Sequence, residues 1–532
     1  MVEYPRGGAL MTSAAFSPLL LGVDVGSSDC KAMLVTSQGE IVASAAQPYP
    51  THYPRAGWAE QQPEDWYSAA CATIRACLRQ ADGARERIAA LAVDGPAHNA
   101  ALLDGAGAVI RPTLHWSDLR SAPQAEALEA QMGEKVYATT YSRVNPSWTL
   151  TQLLWLRDNE PESWGRLRHV LVTKDYVRWR FTGDYVTDPY DAVGTQMYDV
   201  HAMAWSPELC AVVGYNPQHL PRACAPTEIA GVLLADAAAD TGLIPGIPVI
   251  IGSGDSVVEA FGSGTLEPGD CIVKLGTAAN VNLVTCDPLP SKQSITYPHV
   301  VAERWFTITA TNSGASTMRW FRDTFCRLEV EQARAQGVSV YKLIDQLSEG
   351  APPGADGLMF HPYLMGERSP YWDPHLRGDF VGISARHNAH HFARAILEGV
   401  AYSIYDCLEV VRSLGQPIQH MNLLGGGAKS KTWRTIICNV LGIPLSKPKV
   451  EDAAFGSALL AGVGVGMFGS LAEAVRACVR HEAMVLPDAA QHALYQEYFA
   501  IYRDITHDLA AHSRRLTQLA ERYAGIEIQE PS

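Results

Sequence analysis

"LLLGVDVGSSDCKAMLV", residues 19–35, and "CIVKLGTAANVNLV", residues 271–284, are written to one plan. Each is an apolar run, a glycine followed by small hydroxyl-bearing or alanine residues, and a second apolar run. Val23, Val25, Met33 and Val35 suit paired strands, and the small residues between them predict a tight turn. Such a turn exposes backbone N–H groups and a hydroxyl: Ser27 and Ser28 in the first copy, Thr277 in the second. Taken singly, each is an ordinary hairpin. As a pair, with Asp24 just ahead of Gly26, they predict two related halves facing one cleft, with phosphate held by the turns.

The rest of the chain fits an α/β protein of two domains. Its 532 residues exceed one ordinary core. Hydrophobic residues make up 47% and charged residues 18%, which excludes a disordered chain. A formal charge of −14 argues against a nucleic-acid partner, and no apolar run approaches the ~20 residues of a membrane span. Eleven cysteines without a C-x-x-C pair read as reduced thiols of a cytoplasmic protein. Residues 1–18 read as an extension, with Met11 an alternative start. Helices are expected at "PEDWYSAACATIRACLRQA", across most of 125–250, at "HFARAILEGVAYSIYDCLEVVRSLG", at "EDAAFGSALLAGVGVGMF" and in the tail 481–532. Strands are expected at "RIAALAVDGPAH" and "IPVIIGSGD".

Several stretches carry chemistry. "LGGGAKSKT" (424–432) fails as a Walker loop, because Ala428 stands where glycine must precede the lysine. What remains is a backbone, at Gly426 and Gly427, that either lies flat against a nucleotide or packs a strand on a helix. Asp24 can orient a water on Mg²⁺ that bridges ATP phosphates, or cap its own turn. Asp255, in "IIGSGDSVVEAFGSG", follows an apolar strand at the edge where open α/β sheets bind ligands. There an aspartate can take the proton of an attacking hydroxyl, and the glycines before it would leave room for substrate. His98 and Trp116 lie on neighbouring segments rich in sugar-binding residue types, although each is also a common core residue. No H-E-x-x-H or G-x-S-x-G occurs, which sets hydrolases aside.

Together these segments resemble the FGGY carbohydrate kinase family. The first hairpin, "AGWAEQQPEDWYSAA", "GPAHNAALLD", "RPTLHWSDLRS", "GSGDSVVEAFGSG", "KLGTAAN", "PYLMGERSPYWDPHLRGDFVGIS" and "LLGGGAKSKTWRTIICNVLGIPL" match its motifs in order, from about residue 20 to 470. The resemblance implies two actin-like (ribonuclease H-like) ATPase domains flanking a central cleft, 19–260 for sugar and 261–480 for ATP. It implies Mg·ATP-dependent phosphorylation of a sugar hydroxyl in the cytoplasm, by a homodimer without membrane or nucleic-acid partners. By position, Asp255 corresponds to the catalytic base and Asp24 to the metal-side aspartate. Gly26, Ser27, Ser28, Gly276 and Thr277 correspond to the phosphate turns, and Gly426 and Gly427 to the adenosine loop. His98, Trp116, Asp118 and Asp255 fall where family members contact sugar. The xylulokinase-like branch fits best, which implies D-xylulose. Two departures, Pro96-Ala97-His98-Asn99 for Q-M-H-G and Ser256 for asparagine, leave another pentulose, gluconate or a polyol open. A degenerate actin-like protein that binds ATP without turnover is the rival class.

Overall fold

The computed structural model describes residues 17–523, so the expected extension and the alternative start at Met11 fall almost wholly outside it. The first half is organised around β1 (Leu19–Val25), buried along its whole length. It pairs antiparallel with β2 (Asp29–Thr36), which pairs antiparallel with β3 (Ile41–Pro48). Helix α1 (Pro63–Gln80) packs behind this meander, started by proline in its first turn with Glu64 and Asp65 facing the helix dipole. On the other flank β4 (Ile88–Asp94) runs parallel to β1. Beyond it come the antiparallel edge strand β5 (Ile229–Val232) and parallel β6 (Pro248–Ile250), for a sheet order β5-β6-β4-β1-β2-β3. The strand β5 lies inside a stretch read as mostly helical. Its four half-buried or exposed residues include Gly231 and carry no period-2 signal.

The second half repeats the arrangement. In it β7 (Asp270–Leu275), β8 (Ala279–Thr285), β9 (Ile295–Pro298), β10 (Trp305–Thr311), β11 (His420–Leu424) and β12 (Leu445–Ser446) form the order β9-β10-β8-β7-β11-β12. Three antiparallel strands flank one side of β7 and two parallel strands the other. Around β1 the antiparallel side has two strands, and the two parallel strands on the other side carry the extra antiparallel edge strand β5. The duplication read from the two hairpins is therefore a duplication of whole sheets. Two α/β domains of the actin-like type follow from it.

Helix α2 (Ala389–Ser413) fills the core of the second domain. Helix α3 (Ala453–Gly464) crosses over and packs on β1 and β4 of the first. Its small residues have a steric reason. A Cβ on Gly22 would stand 1.7 Å from the carbonyl oxygen of Ala454, so β1 needs glycine there. The tail is helix α4 (Ala489–Tyr523), whose Tyr495 and Tyr502 are completely buried against the second domain. None of the described helices is long and apolar enough to cross a membrane. All eleven cysteines are free, and only Cys286 is exposed.

Candidate active site

Three carboxylates meet at the carboxyl ends of parallel strands. Asp24 sits near the end of β1, directly beside Asp94 at the end of β4. Asp255 follows β6 and starts a short helix, Asp255–Gly262, with its own N–H donated to Gly95 O at 2.9 Å. Its Oδ1 accepts the Ser256 N–H (2.6 Å) and hydroxyl (3.1 Å), while Oδ2 accepts nothing from the described residues. Burial raises the Asp255 pKa and the nearby Lys274 ammonium opposes that rise. Lys274 itself is paired with Glu259 at 2.5 Å. Because Lys274 ends one residue before the second hairpin turn, this interaction brings the two halves of the molecule together at Asp255.

The sequence reading expected the glycines before Asp255 to leave room for substrate, and they do not. A Cβ on Gly252 would lie 2.0 Å from Val93 O, and one on Gly254 would lie 2.3 Å from the Tyr190 ring. Protein atoms fill that space, so the glycines serve close packing of the loop.

Asp24 is 8% exposed, and its pKa is pushed up to about 7, by burial first and then by the charges of Asp452 and Asp255. Asp94 is wholly buried and accepts the Ser457 hydroxyl at 2.5 Å, and its pKa too is raised, by burial and then by Asp24. Two buried carboxylates side by side cannot both ionise cheaply, so the pair favours keeping a proton between them. Asp24 Oδ1 is buried without a partner. Among the described residues no three His, Cys, Asp or Glu side chains cluster tightly enough to hold an ion by themselves. The donor set therefore fits a hydrated cation shared with phosphate oxygens, whose charge would relieve the crowding around Asp24.

Both hairpin turns suit that anion. The amides of Ser27 and Ser28, and of Gly276, Thr277 and Ala278, donate to no protein acceptor among the described residues. Gly26 is fixed by its N–H to Asp29 O (3.0 Å) and by the Tyr49 hydroxyl on its carbonyl. The Thr277 carbonyl accepts the Ser316 N–H (3.2 Å) and hydroxyl (2.6 Å), and Arg319 reaches the Thr277 hydroxyl at 3.5 Å. In the glycine loop after β11, Gly426 is exposed with open space where a Cβ would point. Gly427 is packed, since its Cβ would meet Leu275 at 2.4 Å. The loop's first amide, Gly425 N–H, is held by Glu451 at 2.6 Å.

His98 takes a left-handed backbone (φ 77°), with Nδ1 at 2.7 Å from Gly194 O and Nε2 at 3.5 Å from the Tyr297 hydroxyl. Burial lowers its pKa to about 4, so it is neutral at physiological pH. Its ring stands edge-on to Trp148 at 3.9 Å, and Tyr297, from the second domain, stacks on Tyr190 at 4.4 Å. Trp116 is 42% exposed and belongs to the same neighbourhood, with its N–H on Asn99 Oδ1 at 2.6 Å. Asp118 is different. It is 1% exposed, and both oxygens are occupied by Ala59 N–H (2.6 Å) and the Arg120 guanidinium (2.8–2.9 Å), so it braces the loop that carries Trp116.

Sequence reading overlooked Asp94, although a carboxylate closing an apolar strand just before Gly-Pro is the signal that marked Asp255. It also overlooked Lys174, in "VTKDY". Lys174 is fully buried against Asp175 (2.6 Å), Asp188 (2.9 Å) and Asp191 (3.0 Å). Burial opposes its charge, but the three carboxylates outweigh that and hold it well above the usual lysine range. Asp188 in turn accepts the Ser253 hydroxyl at 2.6 Å, which anchors the loop ahead of Asp255.

With this geometry in hand, the comparison with known proteins is direct. The N-terminal domain of the FGGY family of carbohydrate kinases matches residues 19–262, and its C-terminal domain matches 271–465. The chain belongs to the FGGY family and is a sugar kinase, a phosphotransferase with an alcohol as acceptor. It is 31% identical over 489 residues to a xylulose kinase of Bacillus subtilis, covering 91% of this chain and 96% of that one. A gluconokinase of the same organism is 27% identical over 514 residues, covering 95% and 98%. The crystal structure of a xyloylose kinase from Brucella ovis superimposes with a TM-score of 0.84 at 31% identity, covering 93% and 99%.

Proposed function

We propose that this chain transfers the γ-phosphoryl group of ATP to a hydroxyl of D-xylulose, with Asp255 as the base. The observation that carries this reading is the uncommitted Oδ2 of Asp255. It lies at the carboxyl edge of the first sheet and close to Lys274, which leads into the amide-lined second turn. In-line transfer needs a positioned hydroxyl, a group to accept its proton, and anion stabilisation on the far side. Asp255 Oδ2 takes the proton as the sugar oxygen bonds to the γ-phosphorus and the bond to the ADP oxygen breaks. The amides at 27–28 and 276–278 hold the phosphates, and the glycine loop at 426–427 lies against the adenosine. Mg²⁺, when bound beside Asp24, offsets charge on the β- and γ-phosphates.

A neutral acceptor is favoured over a sugar acid by charge. Asp24, Asp94 and Asp255 crowd the site, and the cations beside it, Arg120 and Lys274, are already paired with Asp118, Glu60 and Glu259. A substrate carboxylate would find neither of these free as a counter-ion, and Arg319 stands at the phosphate turn, on the Thr277 hydroxyl. The test is ADP release with Mg·ATP across D-xylulose, other ketopentoses, D-gluconate and polyols. A strong rate with D-xylulose is expected. A rate confined to D-gluconate would reassign the pocket. No rate with any acceptor, while ATP still binds, would favour a degenerate ATP-binding protein.

A further inference from the structure

One contact joins the sugar side of the site to the phosphate side. The indole Nε1–H of Trp116 donates to Ser27 Oγ at 3.0 Å. The direction is unambiguous, because an indole nitrogen is a donor only. Both partners are fixed from behind. The Trp116 N–H is held by Asn99 Oδ1 (2.6 Å), and the following turn is braced by the Asp118–Arg120 pair. The Ser27 carbonyl accepts the Gln61 amide at 2.8 Å, and Gln61 in turn accepts the buried Trp66 indole at 3.0 Å.

What this leaves free is informative. Ser27 Oγ accepts from Trp116 but donates to no acceptor among the described residues. A hydroxyl has one proton and two lone pairs, and engaging one lone pair restricts where the proton can point. The Ser27 and Ser28 amides of the same turn are also unused. Donation into the oxygen also polarises the O–H, which strengthens what it can donate.

We infer that Trp116 is a positioning residue for the phosphoryl donor: its indole N–H aims the Ser27 hydroxyl at a phosphate oxygen. This inference rests on the kinase reading above. A sugar seated against the half-exposed indole fixes the ring, and the ring fixes the hydroxyl. Sugar and nucleotide then tighten each other's binding through one hydrogen-bond chain, because such coupling is reciprocal.

The experiment measures binding of the non-hydrolysable analogue Mg·AMP-PNP by calorimetry, with and without saturating acceptor. The acceptor is whichever of D-xylulose and D-gluconate the unmodified chain phosphorylates. Trp116→Phe keeps an aromatic face but removes the N–H together with one ring of the indole, while Ser27→Ala removes only the hydroxyl and so isolates the hydrogen bond. In the unmodified chain the acceptor should tighten the analogue roughly five- to tenfold, the scale of one or two hydrogen bonds. The ratio should fall towards one in either variant, fall no further in the double variant, and recover in Ser27→Thr. A wild-type ratio in Trp116→Phe, losses that multiply in the double variant, or no tightening in the unmodified chain would each overturn the inference. Absence of turnover with every acceptor would bring down the kinase reading as well. Turnover with independent variants would bring down the coupling alone.

Discussion

At the scale of single residues, Asp255 and His98 make opposite predictions about charge. As the proposed base, Asp255 would act as a carboxylate, so Asp255→Asn should lower kcat by roughly two or more orders of magnitude while ATP binding survives. Stopped assays of ADP formation and a nucleotide titration separate the two effects. His98 is already neutral, with a pKa lowered to about 4 by burial. The pH profile of kcat/KM should therefore show no limb from His98 near the ordinary histidine value of about 6.5. His299 extends the same argument to stability. It is 5% exposed, and burial first, then the Arg304 charge, lowers its pKa to about 3. A histidine lowered in the folded state binds its proton only on unfolding, so its stabilising contribution is complete above about pH 6.5 and is lost as pH falls towards 3. In denaturant titrations at pH 7 and pH 4, His299→Gln should gain on wild type by about 3 kcal/mol at the lower pH.

At the scale of elements, helix α3 does more than its small-residue composition announces. It belongs to the second half of the chain yet packs on the first sheet, and residues at and just before its N-terminal end reach the glycine loop after β11, strand β2 and Asp94. Glu451 holds the Gly425 amide, Asp452 lies 3.7 Å from Lys31, and Ser457 donates to Asp94. Ser457→Ala leaves a buried carboxyl oxygen without its donor, which should cost about 1–3 kcal/mol in urea unfolding. Gly22→Ala should be far worse, because its Cβ would stand 1.7 Å from a helix carbonyl that cannot move alone. Loss of soluble protein, or uncoupled melting of two domains in calorimetry, is the expected result.

At the scale of the whole molecule, the tail helix is part of the second domain's core. Tyr495 donates to buried Glu398 at 2.7 Å and accepts from Arg394 at 2.7 Å, and the Tyr502 carbonyl lies 3.0 Å from His361 Nε2. A chain ending at residue 488 would take the Tyr495 hydroxyl from buried Glu398, leaving it Arg394 and the Gly354 N–H, and would open the apolar groove that Tyr495 and Tyr502 fill. It should fail to fold, or melt at a clearly lower temperature by circular dichroism. Each half carries its own sheet, so if the two domains close on substrate, small-angle scattering should record a smaller radius of gyration when Mg·AMP-PNP and the accepted sugar are both present.

Much of this was legible in the residues themselves. The hairpin repeat revealed the duplication, because strand pairing and turn chemistry are local properties, written in neighbours along the chain. Asp255 and Asp24 stood out for the same reason: a carboxylate where an apolar strand ends, or just ahead of a glycine turn, is visible without knowing what it faces. Contacts between distant segments were not legible. Nothing local says that Asp94 lies beside Asp24, that Gly22 seats a helix from the other half, or that Asp118 is spent on Arg120 while Trp116 reaches Ser27. Those pairings depend on how sheets stack and which strands become neighbours, and that is settled by burying many apolar side chains at once. Local patterning determined two α/β halves and a carboxylate poised at a strand end. Tertiary packing alone decided which side chains around it are already committed and which remain free to act.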